Sequence, residues 1–266
     1  MARYLVRFGY DGAGFAGWAR QPGLRTVEGV LREGISRTGV GATAEAAELA
    51  VASRTDRGVS ARANALTLTS SLSAPAVLRA LNGIAPEIFC TAIREVATGF
   101  SARAATMRWY RYFEPVEGHD VERWQEAATK FRGEVDVRSI GRDLSAGRLS
   151  LRTIQEVRVR RFRTQWLLVD LRAPSFVWGM VRKIIAALRQ VDDGRLSIER
   201  LEGALRGEHR LTLPLAEPEG LVLWDVSYPG RWNQTWAGPN RSQTRYFAEQ
   251  ARRARIRQVV GQHLFQ

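Results

Sequence analysis

Asp56 lies in a polar run, Ser53-Arg54-Thr55-Asp56-Arg57-Gly58-Val59-Ser60, between two apolar stretches, Glu48 to Ala52 and Asn64 to Thr69. Taken alone, the run has an ordinary turn composition. Glycine takes positive φ freely, and Ser53, Thr55 and Asp56 can bond neighbouring amides. What sets it apart is a carboxylate flanked by Arg54 and Arg57, two cations able to hold it ionised and to draw in phosphate. A carboxylate at a strand end, over a groove, is placed to act as nucleophile or base on a bound base or sugar. No second acidic residue accompanies it in the run, which disfavours a two-carboxylate glycosidase.

Other chemistries have little material. Cys90 is the sole cysteine, and His119, His209 and His263 are scattered, so neither a disulfide nor a metal motif is expected. The expectation is a mechanism without metal or cofactor. Charge is more telling. The 266 residues carry a net +13, and the isoelectric point is near 11.0. Such a balance suits a polyanionic partner, because neutralising phosphates releases counterions. Lys130 and Lys183 are the only lysines, so the positive charge is nearly all arginine, whose planar fork suits phosphates and stacks on bases. Residues 231–266 hold seven arginines and one glutamate, +6 in all, together with Trp232, Trp236 and Tyr246. No apolar run approaches the ~18 residues of a membrane span, and no signal-peptide core precedes Asp11. A cytoplasmic protein without membrane contact is expected.

The elements that must position Asp56 follow from pattern. Alternation of Tyr4, Val6, Phe8 and Tyr10 predicts a strand, followed by a glycine-rich loop, Asp11 to Trp18. Thr26 can cap a helix whose apolar face is Val27, Val30, Leu31 and Ile35. The two apolar stretches around the polar run predict paired strands. Ser73 and Pro75 open a helix bearing Val77, Leu78 and Leu81, and Ile88 to Val96 closes the unit as a strand. The order is βαββαβ, the ferredoxin-like motif. The same order recurs. Met107 to Phe113 predicts a strand, Asp120 to Gly133 a helix with Trp124, Ala127, Ala128 and Phe131, and Thr153 to Arg163 with Trp166 to Leu171 a strand pair. Val177, Val181, Ile184, Ile185 and Leu188 mark a strongly apolar helix; a lesser one carries Ile198, Leu201 and Leu205, and Leu221 to Tyr228 is the last strand. Gly141 and Gly147 punctuate a loop, and a final helix is expected from about Ser242 to Leu264. The fold class is α+β: two ferredoxin-like halves, residues 1–105 and 106–230, sharing a continuous antiparallel sheet with a central catalytic cleft, plus an arginine-rich extension, residues 231–266.

The run Ser53-Arg54-Thr55-Asp56-Arg57-Gly58-Val59-Ser60-Ala61 closely resembles the signature of tRNA pseudouridine synthases of the TruA family, whose common form reads G-R-T-D-x-G-V-H-A. Three further segments agree in order. Tyr10-Asp11-Gly12 with Phe15, Gly17, Trp18, Gln21 and Thr26-Val27 resembles the family's opening. Phe100, Ala102 and Arg103, followed by Arg108-Trp109-Tyr110-Arg111-Tyr112, is similar to its second motif. Phe176, then Met180-Val181-Arg182, then Gly220-Leu221-Val222-Leu223 ending at Tyr228-Pro229, is similar to its third. The likeness spans about residues 3 to 229.

The resemblance implies the same fold, with the site in the cleft between the halves, and isomerisation of uridine to pseudouridine at positions 38–40 of the anticodon stem-loop. It implies roles residue by residue. Asp56 matches the essential aspartate, through which uracil detaches, rotates and rejoins through carbon. Arg54 matches the arginine that takes the place of the flipped base, a substitution that offsets the few kcal/mol of lost stacking and pairing. Tyr110 matches the tyrosine that stacks on the target uracil, Arg182 the basic residue paired with the aspartate, and Leu221 the leucine packed on the bound base. Arg57 is expected to contact substrate, and the family implies a homodimer bridged by tRNA. Departures are Ser60 for histidine, Ser53 for glycine, and Trp178-Gly179 in place of a frequent histidine pair. The alternative is a non-catalytic RNA-binding protein built from tandem RRM-like units. Its glycine-rich aromatic signature belongs on central strands, whereas Gly14-Phe15-Ala16-Gly17-Trp18 falls in a loop.

Overall fold

The computed structural model describes residues 1–41, 48–141, 150–232, 234–235 and 238–263. The loop residue Gly147 and the tail residues Trp236 and Leu264 lie outside them. Among the described residues, six helices accompany a large, mostly antiparallel sheet. In chain order the first half supplies β1 (Ala2–Tyr10), α1 (Val27–Thr38), β2 (Ala50–Val51), β3 (Ser60–Ser70), α2 (Ala74–Asn82) and β4 (Ile88–Val96). The second supplies β5 (Met107–Pro115), α3 (Val121–Thr129), β6 (Gly133–Asp136), β7 (Leu151–Ile154), β8 (Glu156–Phe162), β9 (Trp166–Ala173), α4 (Met180–Asp192), α5 (Ile198–Leu205) and β10 (Leu221–Ser227). Beyond these come β11 (Gln234–Thr235) and α6 (Arg241–His263). The main sheet runs β11-β4-β1-β3-β10-β5-β9-β8, with β2 also on β3, while β6 and β7 form a separate pair.

Local chemistry starts the helices as the sequence predicts. The Thr26 side chain accepts from the Gly29 amide at the head of α1, and Asp120 accepts from Glu122 and Arg123 at the head of α3. The first turn of α4 is different. Its cap is Gly179 at φ 74°, a left-handed residue, so the helix starts at Met180 and Val177 stays in the preceding bend. Val27, Leu31 and Ile35 of α1, Val77 and Leu81 of α2, and Ile184, Ile185 and Leu188 of α4 are buried in one core with Val6, Phe8, Leu66 and Leu68 from the sheet. On β5, successive side chains alternate across the sheet. Tyr110 and Tyr112 join the core, while Arg111 on the other side lies 4.1 Å from the Trp224 ring and forms an ion pair with Asp170 at 2.7 Å. No helix among the described residues is long and apolar enough to cross a membrane.

Three further expectations about element bounds need correction. β2 is only Ala50–Val51, because β3 shares its outer edge: residues 66 and 67 pair with β2, and residues 60 and 61 pair with β10. The strand expected over Thr153 to Arg163 is two, since the chain changes partner at Gln155. β7 pairs with β6, a strand that residues 133–136 did not announce, and β8 pairs with β9. The α3 helix ends at Thr129 rather than Gly133, leaving Phe131 buried just past its end.

The seam matters most for function. Against the expected continuous antiparallel sheet, β3 and β10 run parallel, with Val222 opposite Ser60 and Leu223 opposite Ala61. Every other pairing in the main sheet is antiparallel among the described residues. The polar run ends where β3 begins, so this single parallel contact sets Ser53–Val59 beside the start of β10.

Candidate active site

The first residues of the polar run are held by tyrosines from different strands. Tyr10 on β1 shares a hydrogen bond with the Thr55 hydroxyl at 2.8 Å, and Tyr110 on β5 shares one with the Ser53 hydroxyl at 2.8 Å. Asn64 of β3 donates to the Ser53 carbonyl at 2.8 Å. Inside the run the Val59 amide bonds the Asp56 carbonyl at 3.2 Å, closing a tight turn with Gly58 at φ 80°. A second loop braces it, because the Trp18 amide donates to the Thr55 carbonyl at 3.0 Å. At Gly17, φ is 103°, and an added Cβ would lie 3.1 Å from the Thr55 oxygen and 3.2 Å from the Arg57 nitrogen. Backbone here approaches backbone, and only glycine leaves the room.

The turn projects Asp56 into a cleft of about 1240 Å³ lined by Arg54, Arg57, Tyr110, Phe176, Arg182 and Leu221, among others. Both carboxylate oxygens are engaged. Arg182, in the first turn of α4, donates from Nη1 to Oδ2 at 3.1 Å, and Trp178 donates from Nε1 to Oδ1 at 2.7 Å. Arg182 is itself fixed, donating from Nε to the Ala216 carbonyl at 2.6 Å. The side chains of this ion pair are 14% and 23% exposed, so solvent screens the pair only in part. Beneath them Tyr110 packs edge-on to Phe176, with centroids 5.2 Å apart. Burial pushes the Tyr110 phenol up to about 12; its bond to Ser53 opposes the rise and the Asp56 carboxylate adds to it. It is a neutral ring at any working pH. Leu221 is buried against the cleft floor.

The structure thus brings together the six residues singled out by sequence, with one change in their relations. Arg54 and Arg57 are exposed and make no ion pair with Asp56 among the described residues; the charge that meets the carboxylate comes from Arg182, 126 residues away in sequence. A tight turn directs adjacent side chains apart, so sequence neighbours of Asp56 are poor candidates to chelate it. Two contributors escaped the sequence reading as site residues. Trp178 shows as a departure from a motif, with nothing local to mark it as a donor to Asp56. Arg108 donates to the carbonyls of Ala52, Arg103, Ala105 and Pro174, tying the end of β2 to the segment before Phe176. Its only sequence signal is its place in the second motif.

A carboxylate with two fixed donors, above a stacking ring and beside two exposed guanidiniums, can attack or deprotonate a sugar or base whose phosphates the arginines hold. Among the described residues no group of three or more His, Cys, Asp or Glu is arranged to hold a metal ion.

A family model described as tRNA pseudouridine synthase matches residues 127–229. The chain is 38% identical over 233 residues to tRNA pseudouridine synthase A of Thermococcus kodakarensis, covering 86% of this chain and 85% of that protein. It is 34% identical over 229 residues to the enzyme of the same name from Pyrococcus furiosus, covering 85% of this chain and 84% of the relative. With that of Methanothermobacter thermautotrophicus it shares 32% identity over 230 residues, 86% of this chain and 82% of the relative.

Proposed function

This chain belongs to the tRNA pseudouridine synthase family, and from that premise we propose that Asp56 is the carboxylate with which it isomerises uridine to pseudouridine in tRNA. The observation that carries the assignment is the clamped carboxylate: Asp56 stands in the cleft with Trp178 at 2.7 Å on one oxygen and Arg182 at 3.1 Å on the other. The reaction breaks the N1–C1′ bond, turns the detached uracil and joins C5 to C1′, while N1 gains a proton and C5 loses one. It is redox-neutral with no net hydrolysis, so the mechanism proposed uses no cofactor. Arg182 holds the carboxylate aimed. Arg54 fills the space of the extruded base, Arg57 meets a neighbouring phosphate, Tyr110 stacks on the uracil, and Leu221 covers its other side. Stacking of this kind is worth roughly 1–3 kcal/mol per base.

The finer reading places the target at positions 38–40 of the anticodon stem-loop and the enzyme in the cytoplasm. Residues 1–105 and 106–230 are read as two ferredoxin-like halves, supported by matching strand sequences, β4-β1-β3 with β2 on the far edge and β10-β5-β9-β8. A homodimer bridged by tRNA completes it, and light scattering at micromolar concentration tests that state directly.

The test of the assignment is Asp56→Ala assayed by tritium release from uracil-C5-labelled tRNA. The variant is expected to fold, to bind tRNA with near-unaltered affinity, and to release no tritium. Release at the unaltered rate would remove Asp56 from the chemistry.

A further inference from the structure

The helix α6 has no place in the cleft assigned above, yet it reaches that cleft. Its beginning is strongly anchored. The Gln243 amide donates to the Asn240 side chain at 2.9 Å and the Gln243 side chain accepts from the Asn240 amide at 3.0 Å, a reciprocal cap. The same glutamine donates to the Ile88 carbonyl at 3.0 Å and to the Asn82 side chain at 3.1 Å, and it is fully buried. One turn on, the Tyr246 hydroxyl donates to Asp11 at 2.9 Å, and Phe247 packs edge-on to Phe89 at 5.8 Å. Asp11 opens the glycine-rich loop whose Ala13, Ala16 and Gly17 line the cleft. After Gln250 the docking stops, and residues 251–260 are exposed throughout.

Exposed is not the same as remote. Arg257 lines the cleft that holds Asp56. It follows Gln243, Tyr246 and Gln250 by 14, 11 and 7 residues, spacings that return to one face of a helix. At 1.5 Å per residue, the span from Gln243 to Arg257 is about 21 Å. The docked face therefore continues past the body and over the cleft mouth, ending in a guanidinium. Among the described residues no ion pair engages Arg257 or its neighbour Arg255, whereas Arg252 and Arg253 are both held by Glu249. An anchored helix that carries an unneutralised cation to the rim of a cleft suits a polyanion entering that cleft.

We propose that α6 is a fixed arm forming the outer wall of the substrate cleft, with Arg257 contacting a phosphate of the tRNA strand whose uridine enters it. This rests on the reading of the cleft as the uridine site. The family model that matches the chain ends at residue 229, so the arm is an addition of this chain to the part that model describes. Arginine suits the task because its fork meets two phosphate oxygens at once.

The test compares Arg257→Gln with Arg252→Gln in the full-length protein, measuring the Kd for transcribed tRNA across a salt series. Both variants lose one charge from the same exposed helix, but only Arg257 faces the cleft. Arg257→Gln is expected to raise Kd about 3- to 10-fold and to lower the magnitude of the log Kd against log salt slope by about 0.7–0.9, one phosphate's share. Arg252→Gln is expected to match the unaltered protein. Equal effects from both variants would mean undirected electrostatics, and an unaltered slope in Arg257→Gln would mean no phosphate contact; either overturns the arm. Tritium release by the unaltered protein is followed on the same transcript. No release would bring down the reading of the cleft itself, whereas release together with an unaffected Arg257→Gln brings down the arm alone.

Discussion

Trp178 reaches Asp56 across 122 residues of chain, and its indole is the nearer of the two donors, 2.7 Å against 3.1 Å for Arg182. Arg182 supplies charge, but a second donor on the other oxygen is what stops the carboxylate from turning about its Cβ–Cγ bond. The tryptophan side is half open to solvent, so water can replace its N–H bond when the indole nitrogen is lost. Trp178→Phe is therefore expected to change stability by less than about 1 kcal/mol. Turnover should suffer far more, because misplacing a reacting group by about 1 Å can cost on the order of 100-fold. A 10- to 100-fold lower single-turnover rate with little change in tRNA affinity is the expected outcome, roughly the range that misalignment predicts. Trp178→His keeps a ring N–H and should recover part of the rate. If Trp178→Phe turns over like the unaltered protein, the indole contact is incidental to Asp56.

Elements differ in how far sequence alone reveals them, and the differences have physical reasons. The strand over Ile88–Val96 and the caps at Thr26 and Asp120 are legible because alternation and side-chain capping are local properties. The short β6 and the division of residues 151–162 into β7 and β8 are not, since the second depends on a change of partner that alternation does not register. The parallel seam between β3 and β10 leaves no local signal either, although it sets the position of the turn that carries Asp56. Of the site, Asp56, Arg54, Arg57, Tyr110, Arg182 and Leu221 are legible through motifs; the Trp178 contact is not, because it spans elements. One close approach between loops yields a prediction at this scale. Gly17→Ala meets both a disfavoured φ of 103° and the backbone of residues 55–57, whereas Gly23→Ala meets a positive φ of 70° with nothing within 4 Å. Backbone strain alone costs about 1–3 kcal/mol, and both variants should show it as a Tm lowered by a few degrees. Only Gly17→Ala should also lose activity, because relief of the contact moves the turn that carries Asp56. Equal activity in the two variants would show that the turn yields without displacing the carboxylate.

At the scale of the whole molecule, the cleft and the core share Tyr110, which couples function to global stability at high pH. Tyr110 and Tyr112 are pushed up to about 12, chiefly by burial, and so is the Cys90 thiol; Tyr10 is pushed up further. The unfolded references are 10.0 for the phenols and 9.0 for the thiol. Below those values both folded and unfolded chains keep the protons, and stability does not depend on these groups. Between reference and folded value the unfolded chain has released protons that the folded chain still holds, so each further rise in pH favours unfolding. The slope approaches about 1.4 kcal/mol per pH unit for each such group. Four groups acting together would exhaust a stability of about 5–15 kcal/mol within a few pH units. Urea unfolding is expected to show a plateau up to about pH 9 and a steep loss beyond about pH 10. Tyr10 and Tyr110 also hold Thr55 and Ser53, the residues that lead into Asp56. The alkaline loss of activity should therefore share its midpoint with the loss of structure, followed by circular dichroism and tyrosinate absorbance. Activity that falls well before the fold would place the sensitive group elsewhere, and stability that stays level past about pH 11 would mean these phenols are hydrated rather than buried.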